Sequence, residues 1–588
     1  MNFSKKINLG KHLLNVEKPA QYLGNEINSI HKHEYKTHMC LVFPDLYSVG
    51  MSNLGIRILY NLLNKVNDFY IERAFHPMDD MEKILIDNKI PMFSLETKTP
   101  LIDFDVVGFS FSYELSYPNA LNILKLANIP FSRLDRNESH PLIMAGGTCM
   151  MNPSVMEKFC DYIVIGDGEE VMVEIAKIFV ENYDKSKTEK LNLIKDLKGV
   201  YVPSLHQDKI IDRAIVEDLN STEYYDEQIV PYIDVVHDRA TVEIQRGCSR
   251  GCRFCQAGIV YRPVRERSLE KNLELIDKMI DKTGYSEISL SSLSSSDYSN
   301  IYNLIYKLKE NVKYKNLSIS LPSLRMNPMS VKVAEDISGG KRTGFTFAPE
   351  AGSQRMRDII NKGVNKEEII ETAKAAVTSG WINLKFYFMV GLPFETDEDV
   401  VAISDLCKEV LLECKKISKK INITVSVSNF VPKPHTPFQW AKQMNFEEMK
   451  HKHNILKDSF NNVKNISLKI HDGRKSYIEG FLSRADNKIS DLIEIAYNKG
   501  VKLDDYRDNF KLWKESIEEL KLDENYYLGS KSLDEKFCWD KVNTGVTKDF
   551  LKREWKKAQQ EALTPECRKQ CSYCGIKDIF PECLKIYE

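Results

Sequence analysis

The chain has 588 residues, with 82 Lys plus Arg against 84 Asp plus Glu and a formal net charge of −2. Apolar residues make up 43% and charged residues 28%, the balance of a globular protein of roughly three or four domains. This excludes disordered, collagen-like and fibrous classes, and the near-zero net charge excludes a global basic field for nucleic acid. The 13 cysteines are odd in number and too dilute for a disulfide scaffold.

The first residues, MNFSKKINLGKHLLN, carry some positive charge but no apolar core, so no secretory signal is expected. No run of about 18 apolar residues occurs, so no membrane span is expected. A cytoplasmic location follows as an expectation, and in a reducing compartment clustered cysteines more often hold metal than form disulfides.

From about residue 37 to 215, short apolar runs alternate with helical stretches. THMCLVFP (37–44), DFDVVGFSFS (103–112), PLIMAGGT (141–148) and CDYIVIGDGEE (160–170) read as strands ending in small or glycine-rich turns. Strands alternating with helices predict a parallel α/β sheet, Rossmann-like, with ligands beyond the carboxyl ends of its strands. Residues 185–235 read as a charged connector with a surface helix and a short strand. From 240 to about 430 the alternation resumes in ATVEIQ, EISLSS, LSISLPS, GFTFAPE, INLKFYFMVG and NITVSVSNF. These six strands predict a partial or complete (β/α) barrel. Beyond 440 helical periodicity dominates and ends in a cysteine-rich tail. The expected division is 1–215, 216–440 and 441–588.

The strongest motif is RGCSRGCRFCQAG, with Cys248, Cys252 and Cys255 at C-x3-C-x2-C spacing directly after the strand ATVEIQ. Three thiolates on one loop can ligate three irons of a [4Fe–4S] cubane and leave the fourth iron open. A zinc loop with a distant fourth ligand is the alternative. Gly247, Gly251 and Gly258 let the backbone wrap closely. Arg246, Arg250 and Arg253 place positive charge near an anionic cluster. More arginines follow at Arg262, Arg265 and Arg267; part of the stretch is expected to face either an anionic substrate or the cofactor scaffold.

This motif, with Phe254 just before its last cysteine, resembles the radical S-adenosylmethionine (SAM) superfamily over about residues 240–440. The resemblance implies that the open iron chelates SAM. One electron from the cluster then cleaves SAM to methionine and a 5′-deoxyadenosyl radical. It also implies an external electron donor such as a flavodoxin or ferredoxin. By the same resemblance Ser291 and Ser292, which stand where many members carry Gly-Gly-Glu, contact the SAM amino group. Glu350 and Ser353 are candidates for a polar SAM contact, and Gly391, in YFMVGLPFET (387–396), lies beside adenine.

A separate α/β domain ahead of such a barrel resembles the cobalamin-binding (B12-binding) radical SAM family, fused type, with a match over about residues 20–215. Under that resemblance Gly146, Gly147, Gly166 and Gly168 admit a corrin and its nucleotide tail, and Ser110 and Ser112 donate hydrogen bonds. Glycines that merely turn the chain, or simple nucleotide binding, are the alternatives. Many cobalamin domains ligate cobalt through a His in D-x-H-x-x-G; this chain reads Asp45-Leu46-Tyr47-Ser48-Val49-Gly50, so Tyr47 stands in the His place. A phenol is a poor cobalt ligand.

The tail places Cys567, Cys571 and Cys574 at the same x3, x2 spacing, with Cys583 near enough to complete a quartet. Four thiolates suit a second Fe–S cluster or structural zinc. In FVPKPHTPFQW (430–440), Lys433 and His435 are substrate-side candidates or surface residues of a rigid loop.

Three functions remain open on the sequence. The first is a radical SAM enzyme that uses cobalamin to methylate or otherwise modify an unactivated carbon. The second is a radical oxidation, cyclisation or sulfur-insertion enzyme with non-methylating cobalamin. The third is a non-catalytic RNA- or ribosome-associated Fe–S protein. The substrate is not legible, and no recognisable RNA-binding module stands out.

Overall fold

The computed structural model describes residues 6–206, 209–221, 227–314, 316–326, 328–337, 344–503 and 506–583. The N-terminal sheet has six strands: β1 (Thr37–Leu46), β2 (Phe69–His76), β3 (Val106–Ser110), β4 (Leu142–Gly146), β5 (Tyr162–Val164) and β6 (Val200–Tyr201). Their order is β2-β1-β3-β4-β5-β6, with every pairing parallel except β5–β6. This is a doubly wound α/β sheet whose order reverses between β1 and β3, the place where such sheets bind ligands.

Side chains alternate along β1. Met39, Leu41 and Phe43 face one layer, covered by helices Leu54–Asn64 and Glu169–Glu181. Cys40 and Val42 face the other, as the two-residue period of a strand requires. Strand β2 escapes the sequence reading because Glu72 and Arg73 interrupt its apolar pattern. Both are fully buried, with Arg73 paired to Glu26 at 2.9 Å and Glu96 at 2.6 Å, and Glu72 facing His38 at 2.8 Å.

Short strand β7 (Ile211–Asp212) follows in the connector. The second unit begins with β8 (Ala240–Glu243), β9 (Gln245–Arg246) and β10 (Arg265–Glu266), and continues through β11 (Glu287–Ser291) and β12 (Ser318–Ser320). Strands β13 (Phe345–Glu350), β14 (Asn383–Val390), β15 (Asn422–Asn429) and β16 (Ile466–Ile470) form the rest. The strands make a parallel three-stranded sheet β12-β11-β8 and a parallel four-stranded sheet β13-β14-β15-β16. All six expected strands are present, and β16 is a seventh. It carries the sheet across the boundary expected at 440/441, because the alternating ISLKI pairs with β15.

The C-terminal region is mainly helical and does not stand apart. Helices Gly473–Ser483 and Lys488–Asn498 contribute Phe481, Ile489 and Leu492 to the same core as Val107, Phe109 and Ile143 of the N-terminal sheet. They supply the second covering layer of that sheet, which its own helix Tyr117–Leu126 covers only in part. Strand β17 (Val542–Asn543) pairs in parallel with β7 and closes the chain back on its first half.

Candidate active site

Strands β8 and β9 deliver the chain to the cysteine loop, and β10 returns antiparallel to β9. Gly247 opens the loop at φ 81°, where an added Cβ would lie 2.6 Å from the carbonyl oxygens of Pro263 and Tyr261. Only glycine fits there. The loop is pinned by its arginines. Arg253 is fully buried and donates to Glu554 at 3.1 Å and to the carbonyls of Asp358, Ile359 and Ala562. Arg250 forks onto Asp297 at 3.0 and 2.7 Å and pairs with Glu566 at 2.6 Å. Arg267 and Arg265 are buried as well. Arg250, Arg253, Arg265 and Arg267 are therefore scaffold, while Arg246 also lines a cavity between the two units.

Cys248 and Cys255 each lie within electrostatic reach of Cys252. Burial pushes the Cys248 thiol up to about 12 and the Cys255 thiol up to about 11, each reinforced by Cys252 beside it. Such thiols become thiolates in company with a metal cation. Among the described residues, no three His, Cys, Asp or Glu side chains stand assembled as a site for a metal ion. The donor chemistry of three thiols on one loop suits a cubane with one iron left open.

Glu350, at the end of β13, holds a left-handed backbone (φ 70°) and accepts from Lys362 at 3.1 Å. Glu350 and Lys362 both lie within electrostatic reach of Cys252 and Cys255. A non-glycine residue in that conformation costs about 1 kcal/mol or more and often marks a functional site. Phe254 packs behind the loop with Met356, Leu392, Phe430 and Phe438. The Ser353 hydroxyl is committed elsewhere: it caps helix Gln354–Ile359 at Met356 N (3.1 Å) and donates to Asp399 at 2.6 Å. That corrects the expectation of a ligand contact. Gly391 has φ 82° and an added Cβ would sit 2.4 Å from Met444, so packing explains the glycine. It lines a separate recess beside Glu395, whose carboxyl is pushed up to about 7 by burial.

A cavity of about 320 Å³ lies between the two units. Ser110, Gly146, Gly147, Gly166 and Gly168 line it from the carboxyl ends of the N-terminal strands, and Gly247, Tyr261, Ser291 and Ser292 face them from the second unit. The four glycines divide into two kinds. At Gly147 and Gly166 (φ 98° and 107°) a Cβ would lie 2.4 Å from Phe111 O and 2.2 Å from Ala214 O. At Gly146 and Gly168 the nearest atoms are 3.8 and 3.4 Å away, so a Cβ there would fill cavity space. Two expected contacts fall outside. Tyr47 is buried in the core, donating to Glu26 at 2.9 Å and packed edge-on to Phe75. The short helix Tyr47–Gly50 turns its ring away from the cavity toward the buried Arg73 network. Ser112 is exposed and accepts from Asn53 at 3.2 Å.

Asp167, in the GDGEE turn after β5, binds the two units together across this cavity. It accepts from Arg265 at 2.6 Å and faces Arg246 at 3.3 Å. Burial alone would raise its carboxyl, but the two arginines hold it well below the usual carboxylate range. Lys433 and His435 belong to a second buried seam. Lys433 pairs with Glu114 at 2.7 Å and Glu479 at 2.8 Å, and His435 bonds the Met151 carbonyl at 2.9 Å. Lys433 is half-buried and His435 buried, so neither is a free residue of a surface loop.

Two family models match the chain: radical SAM proteins, N-terminal, over residues 55–203, and the radical SAM superfamily over residues 242–407, which contains the cysteine loop. The chain is a radical SAM enzyme. The superfamily fold implies a [4Fe–4S] cluster and SAM, and the matched segment contains the cysteine loop. The non-catalytic reading falls away.

The radical SAM enzyme is similar to an uncharacterized protein of Methanocaldococcus jannaschii, at 28% identity over 68% of this chain and 79% of that one. It is 24% identical to an uncharacterized methyltransferase of Pyrococcus horikoshii over 52% of this chain and 65% of that protein. It is 23% identical to the threonylcarbamoyladenosine tRNA methylthiotransferase MtaB of Aquifex aeolicus over 47% of this chain and 62% of that protein. Among solved structures, the cobalamin-dependent SAM radical enzyme OxsB covers 94% of this chain and 81% of its own, with 13% identity and a TM-score of 0.48. No helix is long and apolar enough to cross a membrane among the described residues.

Sequence reasoning does not single out Asp167, Lys362 or Glu566 as partners of the site. Each sits far along the chain from the group it serves in the loop, so only the fold brings them there. The positive φ of Glu350 leaves no sequence signal either.

Proposed function

We propose that this radical SAM enzyme binds cobalamin between its two units and modifies an unactivated carbon, by methylation in the first instance. The observation that carries the reading is the cavity itself. It opens at the carboxyl ends of β3, β4 and β5 of a doubly wound sheet, the end at which such sheets bind ligands, and is walled on its far side by the strand residues that precede the cysteine triplet. Cluster and SAM together supply a 5′-deoxyadenosyl radical when bound, and cobalamin supplies a methyl carrier.

The chain's own residues do the rest. Cys248, Cys252 and Cys255 hold the cluster, Ser291 offers a hydroxyl on the wall shared with Gly247 while the Ser292 hydroxyl is held by Ser295 and Ser294 N, and Phe254 excludes water behind the loop. Gly146 and Gly168 leave a flat cradle, and Ser110 offers a polar contact at its rim. No histidine lines the cavity among the described residues, so a corrin there finds no protein imidazole. A low-potential electron donor is required. The tail quartet is a second thiolate site, for an Fe–S cluster or zinc.

The test is corrinoid and iron analysis after anaerobic reconstitution, followed by incubation with methyl-labelled SAM under reducing conditions. Label on protein-bound corrin supports methyl transfer. Bound corrin with SAM cleavage but no label favours the oxidation, cyclisation or sulfur-insertion reading, and absence of corrin binding removes the cobalamin assignment.

The two kinds of glycine give a second check. Gly146→Ala should leave stability within about 0.5 kcal/mol while lowering corrin retention. Gly147→Ala and Gly166→Ala should cost about 1–3 kcal/mol from their left-handed backbones alone, read as an earlier denaturant midpoint. A Gly146→Ala protein that retains corrin fully would show the cradle is not used.

A further inference from the structure

The tail is docked on the cysteine loop. Cys567 N donates to Ser249 O at 3.0 Å, and Ser249 Oγ donates to Glu566 at 2.7 Å. Glu566 also pairs with Arg250, which lies between the first two cysteines of the triplet. Asn361 Nδ2 donates to Gly251 O at 3.1 Å and to Thr564 O at 3.2 Å, tying the approach to the tail to the same loop. Cys583 lies within electrostatic reach of Cys567, Cys571 and Cys574, although no three donors stand assembled there among the described residues.

Between the two thiol sets lies Arg262, with 4% of its surface exposed. Its Nη2 lies 3.9 Å from where a Cβ on Gly251 of the cysteine loop would stand, and its guanidinium lies over the ring of Phe550, in the cluster against which Cys574 of the tail packs; Cys248 on one side and Cys567 and Cys574 on the other act on its charge. Its Nε donates to Gly258 O at 3.1 Å, and its Nη1 has no hydrogen-bond partner. No carboxylate pairs with it among the described residues. A buried guanidinium needs an anion beside it. Neutral thiols are not anions, whereas four thiolates on iron or zinc carry net negative charge.

We propose that Arg262 is the shared counter-ion of two thiolate–metal centres, the triplet's and the tail quartet's, and holds the tail centre against the radical loop. Arg262 is a positioning residue here, and the proposal rests on reading the quartet as metal-binding. Charge near a cluster sets its potential. Removing the guanidinium charge therefore makes the triplet cluster harder to reduce, and removing the anionic tail centre makes it easier.

The experiment uses the full chain, anaerobically reconstituted, in four forms: wild type, Arg262→Gln, Arg262→Lys, and the triple variant Cys567→Ala, Cys571→Ala, Cys574→Ala. Iron and zinc are assayed, and the triplet cluster is titrated by electron paramagnetic resonance. The triple variant should lose about half the iron if the tail holds a cubane like the triplet's, or lose its zinc with iron unchanged. Its triplet potential should move positive. Arg262→Gln should move that potential negative, and Arg262→Lys, which keeps the charge, should restore it. A merely structural role would not give shifts of opposite sign.

Unchanged metals in the triple variant overturn the quartet reading and the proposal with it. Metal loss there, with same-sign or absent potential shifts, overturns the role of Arg262 alone. If Arg262→Gln does not fold, Arg262→Lys with a displaced potential serves as the overturning result. Reductive SAM cleavage by a triplet-cysteine variant would instead refute the catalytic reading, independently of either outcome.

Discussion

Replacing Cys248, Cys252 or Cys255 with alanine should bring 5′-deoxyadenosine formation down to background under strong reductant. Each replacement removes one of three thiolate ligands, and a cubane deprived of one has no neighbouring donor on the loop to take its place. The loop should nevertheless stay folded. Its anchors are Arg253 on Glu554 and the carbonyls of Asp358, Ile359 and Ala562, and Arg250 on Asp297 and Glu566. Of the thiols, Cys255 Sγ accepts a weak bond from Gly258 N at 3.3 Å. Truncating the thiols should therefore cost no more than about 1 kcal/mol in the metal-free protein, seen as a nearly unchanged unfolding midpoint. Activity lost with the fold intact is the signature. A triple alanine variant that still makes 5′-deoxyadenosine would refute the assignment.

Asp167→Ala should be among the most destabilising single changes in the chain. It leaves Arg265 buried with only carbonyl acceptors, those of Val216, Pro263 and Tyr261. Arg246 retains Glu169 and Glu243 and suffers less. Stranding one partner of a buried ion pair typically costs about 3–5 kcal/mol, readable as a shift in denaturant midpoint at neutral pH. The pH dependence has a definite sign. The folded-state pKa of Asp167 is depressed by Arg246 and Arg265, so its contribution is fully present above the unfolded value of about 3.9. It is lost as pH falls below that toward the folded value. The gap between wild type and Asp167→Ala should therefore be constant from pH 5 upward and shrink below about pH 4. A gap that stays constant through acid would mean the carboxylate is not the clamp. The same variant should loosen the cavity, since Asp167 and Arg246 form part of its wall.

The sequence alone determined the chemistry-bearing loop. Three cysteines at fixed spacing after a strand carry the match to the radical SAM superfamily, and local chain order suffices because all three lie on one short loop. It also determined the strands: β1, β3 and β4 are buried on both faces and write themselves as continuous apolar strings, whereas strands of the second unit such as β13 and β14 alternate buried and more exposed positions and read by their two-residue period. The tertiary structure alone decided the remainder. Strand β2 carries Glu72 and Arg73, whose burial becomes tolerable only once Glu26, His38 and Glu96 arrive from elsewhere. Tyr47 occupies the place of a cobalt-ligating histidine by sequence, yet the turn after β1 points it into that buried network. The roles of Gly146 and Gly147, adjacent and identical in sequence, separate only in space, where Phe111 O crowds one and open cavity lies beside the other. Arg262, Asp167 and Lys433 read as ordinary charges in the chain. Each is buried or half-buried by contacts from distant segments, and a buried charge takes its role from the partners that long-range folding brings to it.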